Sequence, residues 1–379
     1  MIIGIDGSEA NEITRVGSSE YTYQLLKALY RISVMGKTKN EFRIFIKQSE
    51  INELPEENLH WRYEKLSSTH LWMIKKIVPR LLFGGKIDVF FSPTHYLPIF
   101  TSVPQVCTIH DLGYLMFSEQ FKRYDYWQLK YWTAISIFIS KYIISISNST
   151  KKDIVRHYHF ASNKVKTVYH GVDHDVYNDK ITEHLVRHVK NKYKIANNYI
   201  LSIGTLKPSK NIIGIIKSFG NLIKENEEIV RGYQLVIAGK KGWFYHEMFL
   251  LIEELKIQDK VIFTDYLAGD DKPALYKGAR FLISPSFWEG FGMHVLEAMA
   301  CGVPVISSRA GSLEEVAGSA GIFVDPYDIS DITLKMRQLM MMDDKDYNNL
   351  VRKCISRASE FNWDKTAQET LNVLERINK

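Results

Sequence analysis

Two carboxylates and two glycines fall close together in the segment SPSFWEGFGMHVLEAMACGVPV, residues 284–305. Glu289 precedes a glycine-bracketed turn, and Glu297 follows eight residues later inside a predicted helix. Gly290 and Gly292 have no side chains, so a ligand can approach the backbone there. The first amide groups of the helix that follows favour phosphate. The segment therefore predicts a nucleotide-binding pocket.

Short β-branched runs alternate with helical patterns in the chain that leads to this segment. The first runs are IIGID, FRIFIK, VFFSP, QVCTI and YIISIS, with a helix predicted from about Ser18 to Ile32. The rhythm restarts after a polar stretch at about 178–198, with YILSIG, QLVIAG, VIFTD, RFLISP, PVISS and GIFVD. Such alternation is typical of parallel sheets covered on both faces by helices.

The length of 379 residues favours two domains, because a single hydrophobic core stops growing at about 250 to 300 residues. We therefore predict an α/β protein with two Rossmann-like, doubly wound domains, one over residues 1–177 and one over 195–360.

The residues that follow the predicted strands are rich in glycine and polar side chains. Ligands of such sheets bind outside the carboxyl ends of the strands, so chemistry is expected at these positions. They include Asp6, Gly7, His110, Asp111, Gly204, Thr205, and the stretches 239–242 and 285–292.

Nicotinamide chemistry is disfavoured by the first of these loops. The loop from Gly7 to Gly17 lacks the third glycine of a G-x-G-x-x-G motif. No convincing acidic residue follows about 20 positions later, where a dinucleotide ribose would be bound.

The segment 284–305 resembles the E-x7-E signature of retaining glycosyltransferases of the GT-B architecture, in which two Rossmann-like domains face a central cleft. The surrounding EGFG, EAMACGVPV and LEEVAG sharpen the match, which extends along nearly the whole chain. The chain is similar above all to glycosyltransferase family four, and within it to a bacterial mannosyltransferase-like branch that builds cell-surface polysaccharides. The resemblance also implies that residues 361–379 form a helix that crosses back to the first domain.

For the donor site, the resemblance implies that Glu289 lies near the sugar hydroxyls and that Glu297 contacts the ribose. The match extends donor binding to the turn between them, at Gly290, Phe291, Gly292 and Met293.

The segment GTLKPSKNI, residues 204–212, resembles the diphosphate-binding turn of the family. A fixed cation there stabilises the negative charge that develops on the leaving nucleoside diphosphate. Lys210 aligns with the family's lysine, but Thr205 stands where many members have an arginine. The second cation is therefore Lys207 or, alternatively, Lys240 and Lys241 in the next loop. The resemblance implies that these side chains and helix dipoles replace a metal ion, so Asp-x-Asp patterns elsewhere are interpreted as accidental.

Four further positions follow from the resemblance. His110 would face the donor sugar, and Asp111 would either orient His110 or hold the next turn. Gly17 resembles a glycine turn that approaches phosphate or acceptor at a helix N-terminus. Trp243 either packs against the base pocket or covers the edge of the core.

The sequence predicts a cytoplasmic protein without disulfides. Its first residues lack the basic region of a signal peptide. The three cysteines have neither a metal-type nor a paired spacing; they are Cys107, Cys301 and Cys354.

The net charge of +6 is concentrated in residues 1–175, which hold 22 Lys and Arg against 17 Asp and Glu. No basic and aromatic repeat predicts nucleic-acid binding. Residues 70–86 combine apolar and basic side chains, so this segment either lies at a membrane interface or packs against the core with a basic outer face. We expect peripheral membrane attachment at most.

The resemblance implies a retaining hexosyltransferase in which Glu289, His110 and Lys210 are catalytic. The expected donor is GDP-mannose, and the expected acceptor is a saccharide or a glycan on polyprenyl diphosphate, with no further cofactor. Three alternatives stay open: a UDP- or ADP-sugar donor, a sugar-nucleotide 2-epimerase, and a non-catalytic sugar-binding subunit.

Overall fold

The computed structural model describes residues 1–15, 17–50, 53–67, 71–196, 198–225, 227–242, 245–265, 267 and 269–378. The chain divides into two compact units, Met1–Gly171 with Asn362–Lys379 and Val172–Phe361. Each unit is built around its own parallel sheet.

The sheet of the first unit has the strand order β3-β2-β1-β4-β5-β6-β7. Its strands are β1 Ile2–Asp6, β2 Glu41–Ile46, β3 Trp61–Lys65, β4 Val89–Ser92, β5 Gln105–Ile109, β6 Tyr142–Ser145 and β7 Val165–Thr167. In the register, Ile3 lies opposite Phe42 on one side and Val89 on the other. All three are fully buried, because helices cover both faces of the sheet. The strand order reverses between β1 and β4.

The helices of this unit include α1 Ser18–Val34, α2 Val78–Phe83, α3 Gly113–Met116, α4 Arg123–Ile139 and α5 Asn148–His157. The edge strands β3 and β7 are absent from the predicted set. Strand β3 reads WRYEK and lies half exposed. Edge strands face solvent and carry charged residues, so they lack the apolar run that marks a central strand.

The sheet of the second unit has the order β10-β9-β8-β11-β12-β13. Its strands are β8 Asn198–Ile203, β9 Tyr233–Ala238, β10 Val261–Phe263, β11 Phe281–Ser284, β12 Val305–Ser308 and β13 Ile322–Val324. The order reverses between β8 and β11, as it does between β1 and β4 in the first unit. Both units are therefore Rossmann-like and doubly wound, as predicted.

The helices of the second unit cover both faces of this sheet. They include α6 Glu183–Lys192, α7 Ile212–Glu225, α8 Glu227–Val230, α9 His246–Leu255, α10 Lys272–Lys277, α11 Met293–Ala300, α12 Leu313–Ala317, α13 Ile329–Met340 and α14 Asp344–Ala358.

The last helix, α15 Trp363–Glu375, packs against α1 within the first unit. Arg31 on α1 contacts the carboxylate of Asp364 at 2.6 Å, and the side chain of Asn362 caps the helix at its start. The first stretch of this unit ends at Gly171, earlier than the predicted 177. A Cβ atom on Gly171 would lie 2.2 Å from the amide nitrogen of Trp363, so the two stretches of the unit meet in close backbone contact here.

The segment considered for membrane contact is described from Leu71 onward, and His70 lies outside the described residues. It forms a π-helix, Met73–Ile77, followed by α2. The side chains of Trp72, Met73, Ile77 and Leu81 are buried in the core. Other apolar side chains of the same segment are exposed, namely Leu71, Ile74, Leu82 and Phe83. Among the described helices, none is both long and apolar enough to cross a bilayer.

Candidate functional site

The best-defined group of polar side chains in the second unit lies where the strand order reverses, between β8 and β11. The loop after β8 carries Lys210, and the loop after β11 carries Glu289. The amide of Phe287 donates to the carbonyl of Ser209 at 2.8 Å, which ties the two loops together. Parallel sheets bind their ligands at such reversals.

The carboxylate of Glu289 is the centre of this group. Its Oε1 accepts from the ammonium of Lys210 and, at 2.9 Å, from the hydroxyl of Ser286. The side chains of Lys210 and Glu289 are only 14% and 13% exposed. The ion pair is therefore largely shielded from solvent. Charges attract each other more strongly in such an environment than in water.

The backbone of Glu289 is held from a third loop, the one after β12. Its carbonyl accepts from the amide of Ser312 at 3.1 Å and from the hydroxyl of the same residue at 3.3 Å. Gly311 makes this approach possible, because a Cβ atom there would lie 2.1 Å from the Glu289 carbonyl oxygen. Three loops thus fix the position of one carboxylate.

Lys210 is positioned by a short 3₁₀ helix, Pro208–Lys210, that ends at Asn211 in the left-handed conformation. The side-chain Nδ2 of Asn211 donates to the carbonyls of Pro285 and Pro326 at 3.2 and 2.7 Å. The aliphatic stem of Lys210 passes Gly204, where a Cβ atom would lie 3.2 Å from the lysine Cε. Gly204 therefore leaves room for the lysine to reach the carboxylate.

These surroundings set the charge of Glu289. Burial raises the pKa of the carboxyl group, but the positive charge of Lys210 outweighs burial and holds the pKa at about 2. Lys207 also lowers this pKa by its charge. The carboxylate is therefore ionised throughout the physiological range and accepts hydrogen bonds.

His294, on the first turn of α11, lies beside this pair. Its Nε2 is 2.7 Å from the hydroxyl of Ser284. Burial and the charge of Lys210 lower the pKa of the ring to about 4. The imidazole is therefore neutral at pH 7 and leaves the carboxylate to balance the lysine.

Glu297 is buried in α11, with 5% of its surface exposed. Its Oε2 accepts from the hydroxyl of Tyr276 at 2.7 Å, and its Oε1 accepts from the ammonium of Lys272 at 3.2 Å. Burial and the charge of Glu297 raise the pKa of Tyr276 far above its usual range, so the phenol stays protonated and donates. A carboxylate offers about four acceptor positions, so Glu297 retains acceptor capacity beyond these two bonds.

The residues of the turn between the two glutamates differ in burial and in backbone conformation. Phe291 is buried, and its ring packs against Phe361 at 6.1 Å. Gly292 has a left-handed φ of 89° and begins α11. A Cβ atom there would lie 2.6 Å from the side chain of Leu313. Gly290 and Met293 lie partly exposed.

The loops after β8 and β9 run side by side. The amide of Leu206 donates to the carbonyl of Lys240 at 2.9 Å. Gly239 allows the approach, since a Cβ atom there would lie 2.0 Å from the carbonyl oxygen of Gly204. Lys240 is exposed, and Thr205 is partly buried. Trp243 lies outside the described residues.

In the first unit, His110 follows β5. Its Nε2 lies 2.9 Å from the carbonyl oxygen of Pro93, and its backbone amide donates to Nε2 of His95 at 3.0 Å. Burial lowers the pKa of His110, so its ring is neutral. Because Nε2 faces a carbonyl it carries the proton, which leaves Nδ1 as an acceptor. Asp111 accepts from the amide of Gly113 at 2.8 Å and so holds the next turn, one of its two expected roles.

Gly17 has a φ of 58° and precedes α1, and its carbonyl accepts from the amide of Tyr21 at 3.0 Å. Ser18, the first residue of α1, donates its hydroxyl to the carboxylate of Glu9 at 2.7 Å.

Across the described ranges, no group of three or more His, Cys, Asp or Glu side chains is arranged to hold a metal ion. The Asp-x-Asp patterns, at residues 173–175 and 344–346, have local structural roles. Asp173 accepts from the amide of Asp175 at 3.1 Å, and Asp344 and Asp346 lie in the first turn of α14, which Asp343 caps.

Sequence reasoning included Ser286 only within the stretch 285–292 and did not identify His294, Lys272 and Tyr276 as site residues. Ser286 and His294 lie inside the glycine-rich segment, so their spacing from Glu289 could have identified them. Lys272 and Tyr276 precede Glu297 by 25 and 21 residues, and they contact it only because α10 packs against α11. No local pattern marks them.

Two family models match the chain. Residues 187–360 match "Glycosyl transferases group 1", and residues 40–176 match "Glycosyltransferase Family 4". The first model covers the segments of Lys210, Glu289 and Glu297, and the second covers His110.

Two relatives and one solved structure illustrate the similarity. The O-antigen chain mannosyltransferase B of Escherichia coli is 30% identical over 75% of this chain and 73% of its own length. The serotype-specific mannosyltransferase WbdA of Escherichia coli is 28% identical over 72% of this chain, which spans only 33% of WbdA. Anabaena HepE, solved with UDP and glucose, is 16% identical and superimposes with a TM-score of 0.73 over 99% of both chains. That last similarity concerns the fold alone.

Proposed function

The chain belongs to glycosyltransferase family 4, and on that premise we propose that it is a retaining mannosyltransferase of cell-surface polysaccharide synthesis. Two relatives that align with it over 73% of their own length, at 30% and 25% identity, are named as O-antigen chain mannosyltransferases. The proposed donor is GDP-mannose. The proposed acceptor is a growing glycan, free or carried on polyprenyl diphosphate.

In the proposed reaction, the bond between the anomeric carbon and the diphosphate breaks while the acceptor oxygen bonds to the same face of the sugar. The acceptor proton passes to an oxygen of the leaving diphosphate. The protein then contributes position and charge rather than a covalent intermediate. We include no metal ion in this scheme and assign the positive charge to lysine side chains.

The observation that carries the proposal is the buried contact of Lys210 and Ser286 with the Glu289 carboxylate at the reversal of the second sheet. Glu289, ionised and held from three loops, would accept hydrogen bonds from the sugar hydroxyls. Lys210, beside it, would share its charge with the diphosphate, with Lys207 as the second cation. Glu297, oriented by Tyr276 and Lys272, would accept from the ribose.

The first unit would contribute His110 and Gly17. The neutral ring of His110 offers Nδ1 as an acceptor for a sugar hydroxyl. We propose a cytoplasmic location, which is supported by three buried cysteines that are all free and so suit a reducing compartment.

Calorimetry with GDP, UDP and ADP and their sugar derivatives tests the donor, and transfer of labelled mannose to a lipid-linked glycan tests the reaction. The informative variant is Glu289→Gln, which keeps the shape of the side chain but removes its charge. Its matched control is Glu253→Gln, an exposed carboxylate on α9.

We expect GDP-mannose to bind most tightly and Glu289→Gln to lower the transfer rate by at least a hundredfold, with the control unchanged. Tight binding of a UDP- or ADP-sugar would replace the donor but keep the enzyme class. Interconversion of free sugar nucleotides would identify an epimerase. Donor binding without transfer or donor hydrolysis would favour a non-catalytic subunit.

A further inference from the structure

Helix α4, in the first unit, exposes large apolar side chains along its whole outer side. We call this surface the α4 outer face; it consists of Tyr124, Trp127, Tyr131, Ile135 and Phe138. The spacing of three and four residues places all five on one stripe of the helix. They are between 38% and 76% exposed. The opposite side of α4 is buried and packs against the core through Thr133, Ser136 and Ile137.

The stripe is ordered rather than a scatter of single residues. The rings of Trp127 and Tyr131 stack at 5.3 Å with an angle of 12°. Phe138 meets Phe160 edge to face at 5.9 Å, and Phe160 is itself 53% exposed. An apolar surface that is continuous over a 17-residue helix indicates a contact with something outside the described chain.

Cations surround this stripe. Lys122 and Arg123 lie exposed at its start, and Lys141 lies exposed just beyond its end. The ammonium of Lys130 lies 5.0 Å from the ring centre of Trp127. Residues 118–164 contain eight Lys and Arg against three Asp and Glu. The excess of positive charge in the protein is therefore concentrated around the exposed aromatic rings.

This composition fits one occupant better than others. Tyrosine and tryptophan place an apolar body and a polar tip at a lipid interface, and lysine and arginine pair with anionic head groups. Two copies of this chain packed through the same face would bring the cations of both copies together, which costs free energy. A helix of 17 residues lies along a bilayer surface and is too short and polar to cross it.

We propose that the α4 outer face binds the surface of an anionic lipid bilayer, with the aromatic stripe between the head groups and the flanking cations on their phosphates. The assignment goes beyond the transferase activity and needs neither donor nor acceptor. It also differs from the segment singled out in the sequence, which buries Trp72, Ile77 and Leu81 in the core.

Co-sedimentation with vesicles tests the proposal on the full chain. The probe is a vesicle of two parts phosphatidylcholine to one part phosphatidylglycerol, compared with phosphatidylcholine alone. The stripe variant is Trp127→Ser with Tyr131→Ser and Phe138→Ser. The matched control replaces three exposed leucines of the second unit, Leu185, Leu250 and Leu334, by serine. Circular dichroism and thermal unfolding check that each variant is folded.

We expect the wild type and the control to bind the anionic vesicles, and the stripe variant to bind at least tenfold more weakly. A charge variant, Lys122→Gln with Arg123→Gln and Lys141→Gln, should lose a similar factor, and added salt should release the wild type. Failure of the wild type to bind, or equal binding by the folded stripe variant, would overturn the proposal. A lipid-free dimer that the stripe variant dissociates would assign the face to subunit contact and overturn it as well.

Discussion

Replacing Lys210 by methionine keeps most of the volume of its stem but removes the charge that faces Glu289. The carboxylate would then keep the Ser286 hydroxyl on Oε1 but lose the ammonium that contacts the same atom in the wild type. We expect the pKa of Glu289 to rise in the variant, because burial, the largest influence on it, would no longer be outweighed.

The size of the effect follows from the shift in the wild type. Lys210 and its neighbours hold the pKa of Glu289 at about 2, against an ordinary value of 4.5. At about 1.4 kcal/mol per pH unit, the ionised carboxylate contributes about 3 kcal/mol to folding at pH 7. Because the folded pKa is lowered, this contribution is complete above pH 4.5 and is lost as the pH falls towards 2. Lys210→Met should therefore lower the free energy of unfolding by about 3 to 5 kcal/mol at neutral pH.

Urea unfolding followed by hydrogen–deuterium exchange of peptides from residues 172–361 measures this change in the second unit. Lys210→Met with Glu289→Gln should be more stable than Lys210→Met alone by at least about 1 kcal/mol, since the double variant leaves no unpaired buried charge. Lys241→Met is the control, because its partner Asp265 is exposed and such pairs contribute less than about 1 kcal/mol. A loss below about 1 kcal/mol in Lys210→Met, or an additive double variant, would refute the reasoning.

Three further outcomes test other parts of the structure. Tyr276→Phe should weaken GDP binding about tenfold in calorimetry, because a charge-assisted hydrogen bond to Glu297 is worth about 1.5 to 3 kcal/mol; unchanged affinity would remove Tyr276 from the positioning of Glu297. Acid should destabilise the first unit, because burial holds the pKa of His95 at about 3, below its ordinary value of 6.5. The contribution of His95 to the free energy of unfolding is therefore complete above pH 6.5 and falls by about 1.4 kcal/mol per pH unit below it. Hydrogen–deuterium exchange of first-unit peptides would detect this fall. Gly311→Ala should abolish transfer and lower the melting temperature far more than Gly36→Ala, since both have positive φ but only the first meets a backbone atom; equal effects on melting would contradict a steric role.

The central strands could be predicted from the sequence because each is a short apolar run buried on both faces. The site could be predicted in outline for the same reason: polar residues that follow such runs, like Lys210 and Glu289, must meet at the edge where the parallel strands end. The resemblance of the segment around Glu289 to a family signature then indicated a function, which hydrophobic periodicity alone does not indicate.

What could not be predicted depends on packing between distant segments. The two residues that donate to Glu297, Lys272 and Tyr276, lie on α10. They reach the carboxylate only because α10 packs against α11. The hydroxyl of Ser18, at the start of α1, donates to Glu9 in the preceding loop, and the sequence alone does not indicate this contact. The amphipathic pattern after His70 was ambiguous for a related reason, since the core and a bilayer both accept an apolar face.

The place of α15 has a consequence for the way the protein is made. Trp363 stacks on His170 at 5.8 Å, and the ring of His170 stacks in turn on Tyr21 at 4.5 Å. Translation delivers the first 171 residues early, but the tryptophan emerges only after the 190 residues of the second unit. At about 5 to 20 residues per second, the nascent first unit waits on the order of ten to forty seconds with this aromatic stack unfinished. During that interval an apolar surface on α1 is open on the ribosome, where it is a natural substrate for a chaperone.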